Sequence, residues 1–415
     1  MKYDEYPMLS VEEARDRILA HFQALEPETL PILEALDRVL AEDIISDIDI
    51  PPLANTAMDG YAIRVEDVAE ASAEKPVRLK VIADLAAGYV LDEPVPPGAA
   101  VRIMTGAPVP PGADAVAPFE HVEVDGDDVL IFKPYAKWKN IRHAGEDVKK
   151  GQLVLTRGTV LRPQEIGMLA ALGIPSVRVH RRPRVAVLST GDEVIDVSDP
   201  WQPGKIRDAN GYSVSALILK YGGTPVRLGI APDTIEALTA KIREALAQKV
   251  DFILTSGGVS MGDFDVVKKV LASEGEMHFW RARMKPGKPM AFGEIQGVPL
   301  LGLPGNPVSS MISFELFARP AILTMLGKKA LTKPTIDAIL VDPIKRKDNR
   351  RHYLRVWLEE KEGQTLAHLT GDQGSGILLS MVKADGLAII PEDLNSTPPH
   401  FPVKVMMLDW PEIGE

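Results

Sequence analysis

The sequence predicts a multidomain protein built around a central α/β core, a parallel sheet flanked by helices, with β-rich segments before and after it. Between residues 185 and 274, apolar strand-like runs alternate with amphipathic helices at the spacing of βαβ crossovers. Between residues 53 and 141, short β-favouring runs are separated by Pro-Gly turns. After Lys328 the alternation stops and strand-like runs return.

The elements follow in chain order. Val11, Ala14, Ile18 and Phe22 recur on one helical face, with Ser10 as N-cap and Glu13 closing a capping box. The run Ile50-Pro51-Pro52-Leu53 ends that pattern. Residues 77–82, 100–104 and 129–132 read as strands, and Pro163 opens a second helix reaching Leu172. A basic hinge, His180-Arg181-Arg182-Pro183-Arg184, leads into the clearest pattern of the chain. There, strands at 185–189, 225–230 and 251–255 alternate with helices at 211–221, 234–248 and 265–274. Beyond Lys328, residues 336–341, 353–358, 386–390 and 403–408 read as strands, with a short helical piece within 376–382.

Composition narrows the function. The chain of 415 residues has no cysteine, which excludes disulfides, thiolate metal sites and cysteine nucleophiles. Its eight histidines show no ligand-like H-x-x-x-H spacing, so a metal would be held by oxygen, which favours hard cations such as magnesium. A formal charge of −11, spread without long like-charge blocks, argues against nucleic acid as a partner. No apolar run approaches the roughly 20 residues needed to cross a bilayer. Residues 1–6 are polar and acidic with no signal-peptide pattern, and the expected compartment is the cytoplasm.

Four polar, glycine-containing loops leave the predicted α/β core. S-T-G-D-E-V (189–194) and T-S-G-G-V-S-M-G-D-F-D (255–265) each close a strand. Glycines let a backbone approach a phosphate and turn N–H groups toward it. Carboxylates repel phosphate unless a cation lies between, so the second loop suggests phosphate bridged by a divalent metal. It is not a P-loop, since no G-K-[ST] follows. M-K-P-G-K-P-M (284–290), with Arg281 and Arg283 upstream, concentrates cations in an acidic chain. In L-G-L-P-G-N-P-V-S-S (301–310), Asn306 is a natural N-cap and Pro307 a first-turn proline. Each loop alone is compatible with a capped turn or a solvated face. Together they describe a site for a phosphorylated, nucleotide-like anion at the carboxyl ends of the strands. Three further stretches, N-T-A-M-D-G-Y-A (55–62), R-I-M-T-G-A-P-V-P (102–110) and I-R-H-A-G-E-D-V (141–148), read physically as turns with polar side chains.

These motifs together resemble the molybdopterin molybdenumtransferase (MoeA) family, which is related to the gephyrin E-domain. A-M-D-G-Y-A, I-M-T-G-A-P-V-P, R-H-A-G-E-D, L-S-T-G-D-E, the G-G-V-S-x-G-x-x-D loop, K-P-G-K-P and G-L-P-G-N-P-V-S occur in the family's order between Asn55 and Ser310. The resemblance implies a homodimer of four-domain subunits. Residues 1–52 with 146–181 would form a discontinuous N-terminal, dimerisation domain, with the β-rich segment 53–145 inserted. Residues 182–328 would form the α/β molybdopterin-binding domain and 329–415 a C-terminal β-barrel-like domain.

The implied activity is insertion of molybdate into adenylylated molybdopterin, with a divalent cation such as Mg²⁺ and release of AMP. Molybdopterin adenylyltransferase and a gephyrin-like scaffold are the alternatives, and the adenylyltransferase and molybdoenzymes are candidate protein partners. Carried over by motif, the cation-binding acids would be Asp59, Asp147, Glu193 and Asp265. Asp59 and Asp147 would reach the α/β domain across the dimer cleft, and Thr105 and Lys285 would join the acids in catalysis. Substrate binding would fall to Asp233, Ser256, Gly257, Gly258, Ser260, Arg281, Lys288, Pro304, Gly305 and Asn306. From the terminal domain, Arg351, Arg355 and Ser375 would reach the molybdate side. Asp263 would be an optional helix cap.

Overall fold

The structure is a computed structural model that describes residues 7–258, 267, 270, 271, 275–346 and 348–409. The chain divides into two compact units, Met1–Glu28 with His180–Glu415, and Thr29–Val179.

The first unit is organised on a seven-stranded sheet. Its order is Met8–Leu9, Glu276–Ala282, Pro289–Ile295, Val298–Leu303, Phe252–Ser256, Arg184–Thr190 and Thr224–Ala231. The last four are parallel, as the βαβ spacing predicts. The sheet then continues into strands that the periodicity did not resolve. Pro289–Ile295 runs antiparallel to both neighbours, because only Gln296 and Gly297 separate it from Val298. Both turn residues have positive φ, 51° and 78°, as a tight hairpin turn requires.

Alternate residues of the parallel strands enter different cores, because successive strand side chains point to opposite faces. Val185, Val187, Phe252 and Leu254 pack with Val214, Leu217 and Ile218 of the helix Ala209–Lys220. Ala186, Leu188 and Ile253 pack with Leu238, Ile242 and Ala245 of the helix Ile235–Ala247. The N-terminal helix Val11–Leu19 joins the first of these cores through Val11, Ala14 and Ile18. Its capping box is present, with Glu13 N–H donating to Ser10 Oγ (3.1 Å) and Ser10 N–H to Glu13 Oε2 (2.8 Å). Phe22 lies past the end of the helix and packs edge-on against Phe252, with ring centres 4.8 Å apart.

In the same unit, the C-terminal strands close into a five-stranded barrel. Arg351–Lys361 pairs with both Gln364–Leu369 and Gly386–Ile390, and Thr335–Leu340 and Phe401–Met407 complete the ring. Gln364–Leu369 was not predicted; it is a strand of alternating polar and apolar stretches closing a hairpin at Glu362-Gly363. Met284–Lys285 adds alongside Arg351–Lys361, so the lysine turn is joined to the barrel.

The Thr29–Val179 unit contains a six-stranded sheet in the order Ala115–Pro118, Gly60–Ile63, Ala99–Ile103, Val77–Leu85, Asp128–Ile131 and Val122–Asp125. A separate small core combines Leu40 and Ile44 with Val148, Leu161, Leu169 and Val177, from either side of the inserted sheet in sequence. Gly60 is required by packing, because a Cβ there would stand 2.1 Å from the Ala117 carbonyl oxygen.

Ile18 is fully buried between its helix and the sheet. Ile18→Ala is expected to lower stability by about 2–5 kcal/mol, the range for truncating a buried aliphatic side chain. Chemical denaturation of the full chain measures this.

Candidate active site

The carboxyl ends of the parallel strands open into one cavity of about 700 Å³. Glu193, Asp233, Ser256, Gly257, Gly258, Pro304, Gly305 and Asn306 line it, together with Thr190, Asp208, Asn210 and Gly376. Residues from all four of the loops singled out in the sequence thus share one cavity, the lysine turn contributing Pro289.

The glycines act here mainly through close approach. Gly257 has φ of 95°, and a Cβ there would lie 2.7 Å from the Thr190 carbonyl oxygen. Its N–H donates to the Leu303 carbonyl (3.1 Å), so the expected inward-turned donor at this residue is already used. Ser256 is buried and accepts from Asn210 Nδ2 (2.7 Å), and among the described residues its own hydroxyl proton has no acceptor, which leaves it for a ligand.

The loop 301–310 also differs from expectation. Asn306 holds the N-cap position of the helix Pro307–Ser313, but its side chain does not cap it. Its Nδ2 donates instead to Ser375 Oγ (3.0 Å), and the Ser375 carbonyl accepts from Val308 N–H (3.1 Å). A barrel loop therefore occupies part of the helix start that the sequence reading left free for an anion.

Arg355 explains how that loop is held. The residue is 1% exposed, and its Nε and Nη2 donate to Ser380 Oγ (3.0 Å) and the Gly374 carbonyl (3.1 Å). Burial pushes its pKa down to about 10. Arg351 is ion-paired with Glu12 and, at 3.1 Å, with Glu392. Lys285 is exposed and lies 3.8 Å from Asp348, which also accepts from Arg350 (2.7 Å) and His352 (2.8 Å). Burial opposes ionisation of Asp348, but these hydrogen bonds outweigh it and hold its carboxyl well below the usual range. Arg281 is half-buried on Glu276–Ala282, and Lys288 is half-buried in the turn just before Pro289–Ile295.

In the Thr29–Val179 unit, Asp59 Oδ1 accepts from both the N–H and the hydroxyl of Thr105, each at 2.7 Å. Those two bonds, the backbone one foremost, lower its pKa. Asp147 is exposed, and its backbone N–H donates to the Ile50 carbonyl (3.0 Å). Asp265, Ser260 and Asp263 lie outside the described residues. Among the described residues, no group of three or more His, Asp or Glu side chains is arranged to hold a metal.

Sequence reasoning missed Asp208 and Asn210, having started that helix at Gly211. The Asx pair heading it, in D-A-N-G, was the available signal. Asp208 is the N-cap of Ala209–Lys220, accepting from Gly211 N–H (2.8 Å), and is buried beside Ser189.

Asp233 lies among like charges. Burial first, then the carboxylates of Asp192 and Glu193, push its pKa above the ordinary 3.8. An acid with a raised folded-state pKa is at no disadvantage below its unfolded value, and it destabilises increasingly as pH rises through the folded one. Asp233→Asn is therefore expected to raise Tm at pH 7 and to leave it unchanged below pH 3.8. Thermal unfolding across that range tests the sign.

Comparison with known proteins gives a consistent picture. A family model described as the MoeA N-terminal region (domain I and II) matches residues 9–173. One described as a probable molybdopterin binding domain matches 186–324, and one described as the MoeA C-terminal region (domain IV) matches 337–406. The chain is 38% identical to the molybdopterin molybdenumtransferase of Haemophilus influenzae over 390 residues, 93% of this chain and 95% of that protein. It is 36% identical to the Bacillus subtilis protein of the same name, covering 97% and 96%. A crystal structure of the molybdopterin biosynthesis MoeA protein from Pyrococcus horikoshii OT3 superposes with a TM-score of 0.82 at 33% identity, covering 97% of this chain and 100% of that one.

Proposed function

The chain belongs to the MoeA family of molybdopterin molybdenumtransferases, enzymes of molybdenum cofactor biosynthesis, and from that premise we propose that it inserts molybdate into adenylylated molybdopterin and releases AMP. One observation carries the reading: loops from separate parallel strands meet around a single cavity whose lining combines hydroxyls, glycines and carboxylates. Such a lining suits a phosphorylated substrate accompanied by a cation.

The donor set fits a divalent cation. Oxygen donors suit a hard ion, and the carboxylates of Asp192 and Glu193, which add to burial in raising the pKa of Asp233, are a charge excess that a cation offsets. Glu193, Asp265, Asp59 and Asp147 would hold it, the last two supplied by a second copy of the chain in a homodimer. When bound, it would neutralise the phosphoanhydride and make its phosphorus open to attack by an oxygen nucleophile.

The rest falls to the chain's own groups. The Ser256 hydroxyl donates to a phosphate oxygen, and Gly257 and Gly258 allow the substrate close to the backbone. Lys285, Lys288 and Arg281 attract and orient the oxyanions, molybdate among them. Ser375, held by Asn306, and the Arg355-braced loop set the barrel side of the cavity. A water oxygen bonds to the adenylyl phosphorus as the phosphoanhydride P–O bond breaks, so AMP leaves and the pterin phosphate is freed, while the two dithiolene sulfurs replace two oxygens of molybdate, which depart with the thiol protons as water; no residue of the chain forms a covalent intermediate. Thr105 keeps Asp59 ionised and fixed in direction.

The division into domains at 1–52 with 146–181, 53–145, 182–328 and 329–415, and a cytoplasmic location, belong to the same reading. Among the described residues no helix is long and apolar enough to cross a membrane.

Asp59→Asn keeps the size of the side chain and removes its charge. It is expected to preserve the fold, seen by circular dichroism, while molybdate-dependent AMP release from adenylylated molybdopterin falls at least 100-fold, on the order of losing one electrostatic contact at a reacting centre. Undiminished release, followed by chromatography of AMP, would remove Asp59 from the mechanism.

A further inference from the structure

The segment Asp208-Ala209-Asn210 touches three of the four strand ends that line the cavity. Asp208 accepts from Ser189 Oγ (2.7 Å) at the end of Arg184–Thr190. Asn210 Nδ2 donates to Ser256 Oγ (2.7 Å), at the end of Phe252–Ser256. The same nitrogen donates to the Gly305 carbonyl (2.7 Å), just past Val298–Leu303.

The direction of this amide follows from chemistry. A carbonyl oxygen only accepts, so Gly305 requires the nitrogen of Asn210 to face the loops. Turning the amide over would set two acceptors against each other. The orientation leaves Asn210 Oδ1 buried without a partner among the described residues, a desolvation cost that the flipped amide would not avoid without losing the Gly305 bond.

The two loops clasped by Asn210 leave adjacent strands side by side. Ser256 is paired with Leu303 across the sheet, and a Cβ on Gly305 would stand 3.6 Å from the Gly257 Cα. Both loops are glycine-bearing and so have the most conformational freedom to lose when a ligand orders them.

We propose that Asn210 is a positioning residue that clamps residues 256–258 to residues 304–306, so that both loops present their donors to one phosphorylated substrate at a preset spacing. The inference rests on reading the cavity as the nucleotide and pterin phosphate site. Its physical basis is preorganisation: a loop already held in place loses less freedom when the substrate binds.

Hydrogen exchange of the free, full-length protein and calorimetric titration with AMP test it together. In Asn210→Ala, peptides covering 255–258 and 303–306 are expected to exchange about tenfold faster, with barrel peptides around 353–356 unchanged, and AMP is expected to bind about tenfold more weakly, the equivalent of one hydrogen bond. Asn210→Asp keeps the shape but turns an acceptor toward the Gly305 carbonyl, and is expected to be at least as impaired as the alanine variant. Wild-type exchange in both loops, or wild-type AMP affinity in either variant, would overturn the assignment. A wild-type protein that does not bind AMP would count against the reading of the cavity itself, and the exchange measurement, made without ligand, would still decide the role of Asn210.

Discussion

Parallel pairing of four strands constrains everything at the site. Parallel neighbours cannot be joined by a tight turn, so each connection crosses a face of the sheet and the carboxyl ends collect along one edge. That is why Thr190, Asp233, Ser256 and Gly305, far apart in sequence, line the same cavity. The interior strand Phe252–Ser256 is buried along its whole length, with Phe252, Ile253 and Leu254 fully inaccessible. A one-residue slip would exchange the residues given to its two cores, so the packing that holds the sheet also fixes where Ser256 stands.

Charge at the site is arranged locally against the bulk of the molecule. The chain is acidic overall, at −11, yet places Arg281, Lys285 and Lys288 on one strand pair and its turn. Lys285 approaches Asp348, itself fixed by Arg350 and His352, so the cationic turn is tied to the barrel by charge as well as by strand pairing. The barrel also reaches the cavity through Gly376. Arg355, a full charge placed at 1% exposure, donates to Gly374 in the loop that carries Ser375 and Gly376 toward that edge and to Ser380 in the helix Leu379–Val382 that follows it.

Much of this was legible because it depends on neighbours in the chain. The capping box of Ser10 and Glu13, the apolar face of Val11, Ala14 and Ile18, and the strand–helix alternation after Val185 are short-range patterns. The motif loops were legible as chemistry for the same reason, since each gathers its glycines and polar groups within about ten residues. Gln364–Leu369 was missed because its six residues mix polar and apolar side chains too evenly to show a strand by themselves, and its partners come from the barrel. Asn210 was missed because nothing within its own segment shows that Ser256 and Gly305 will stand on either side of its amide.

The sequence by itself determined the strand–helix alternation from Val185 to Ala247, the carboxyl-end location of the polar loops and the family to which their motifs point. Tertiary structure decided which donors remain for a ligand. Gly257 spends its N–H on Leu303, Val308 spends its N–H on Ser375, and Asn306 turns from its helix to the barrel. The reason is physical: periodicity and capping are set over a few residues, whereas a hydrogen-bond partner is whatever acceptor the folded chain brings within about 3 Å, however distant in sequence.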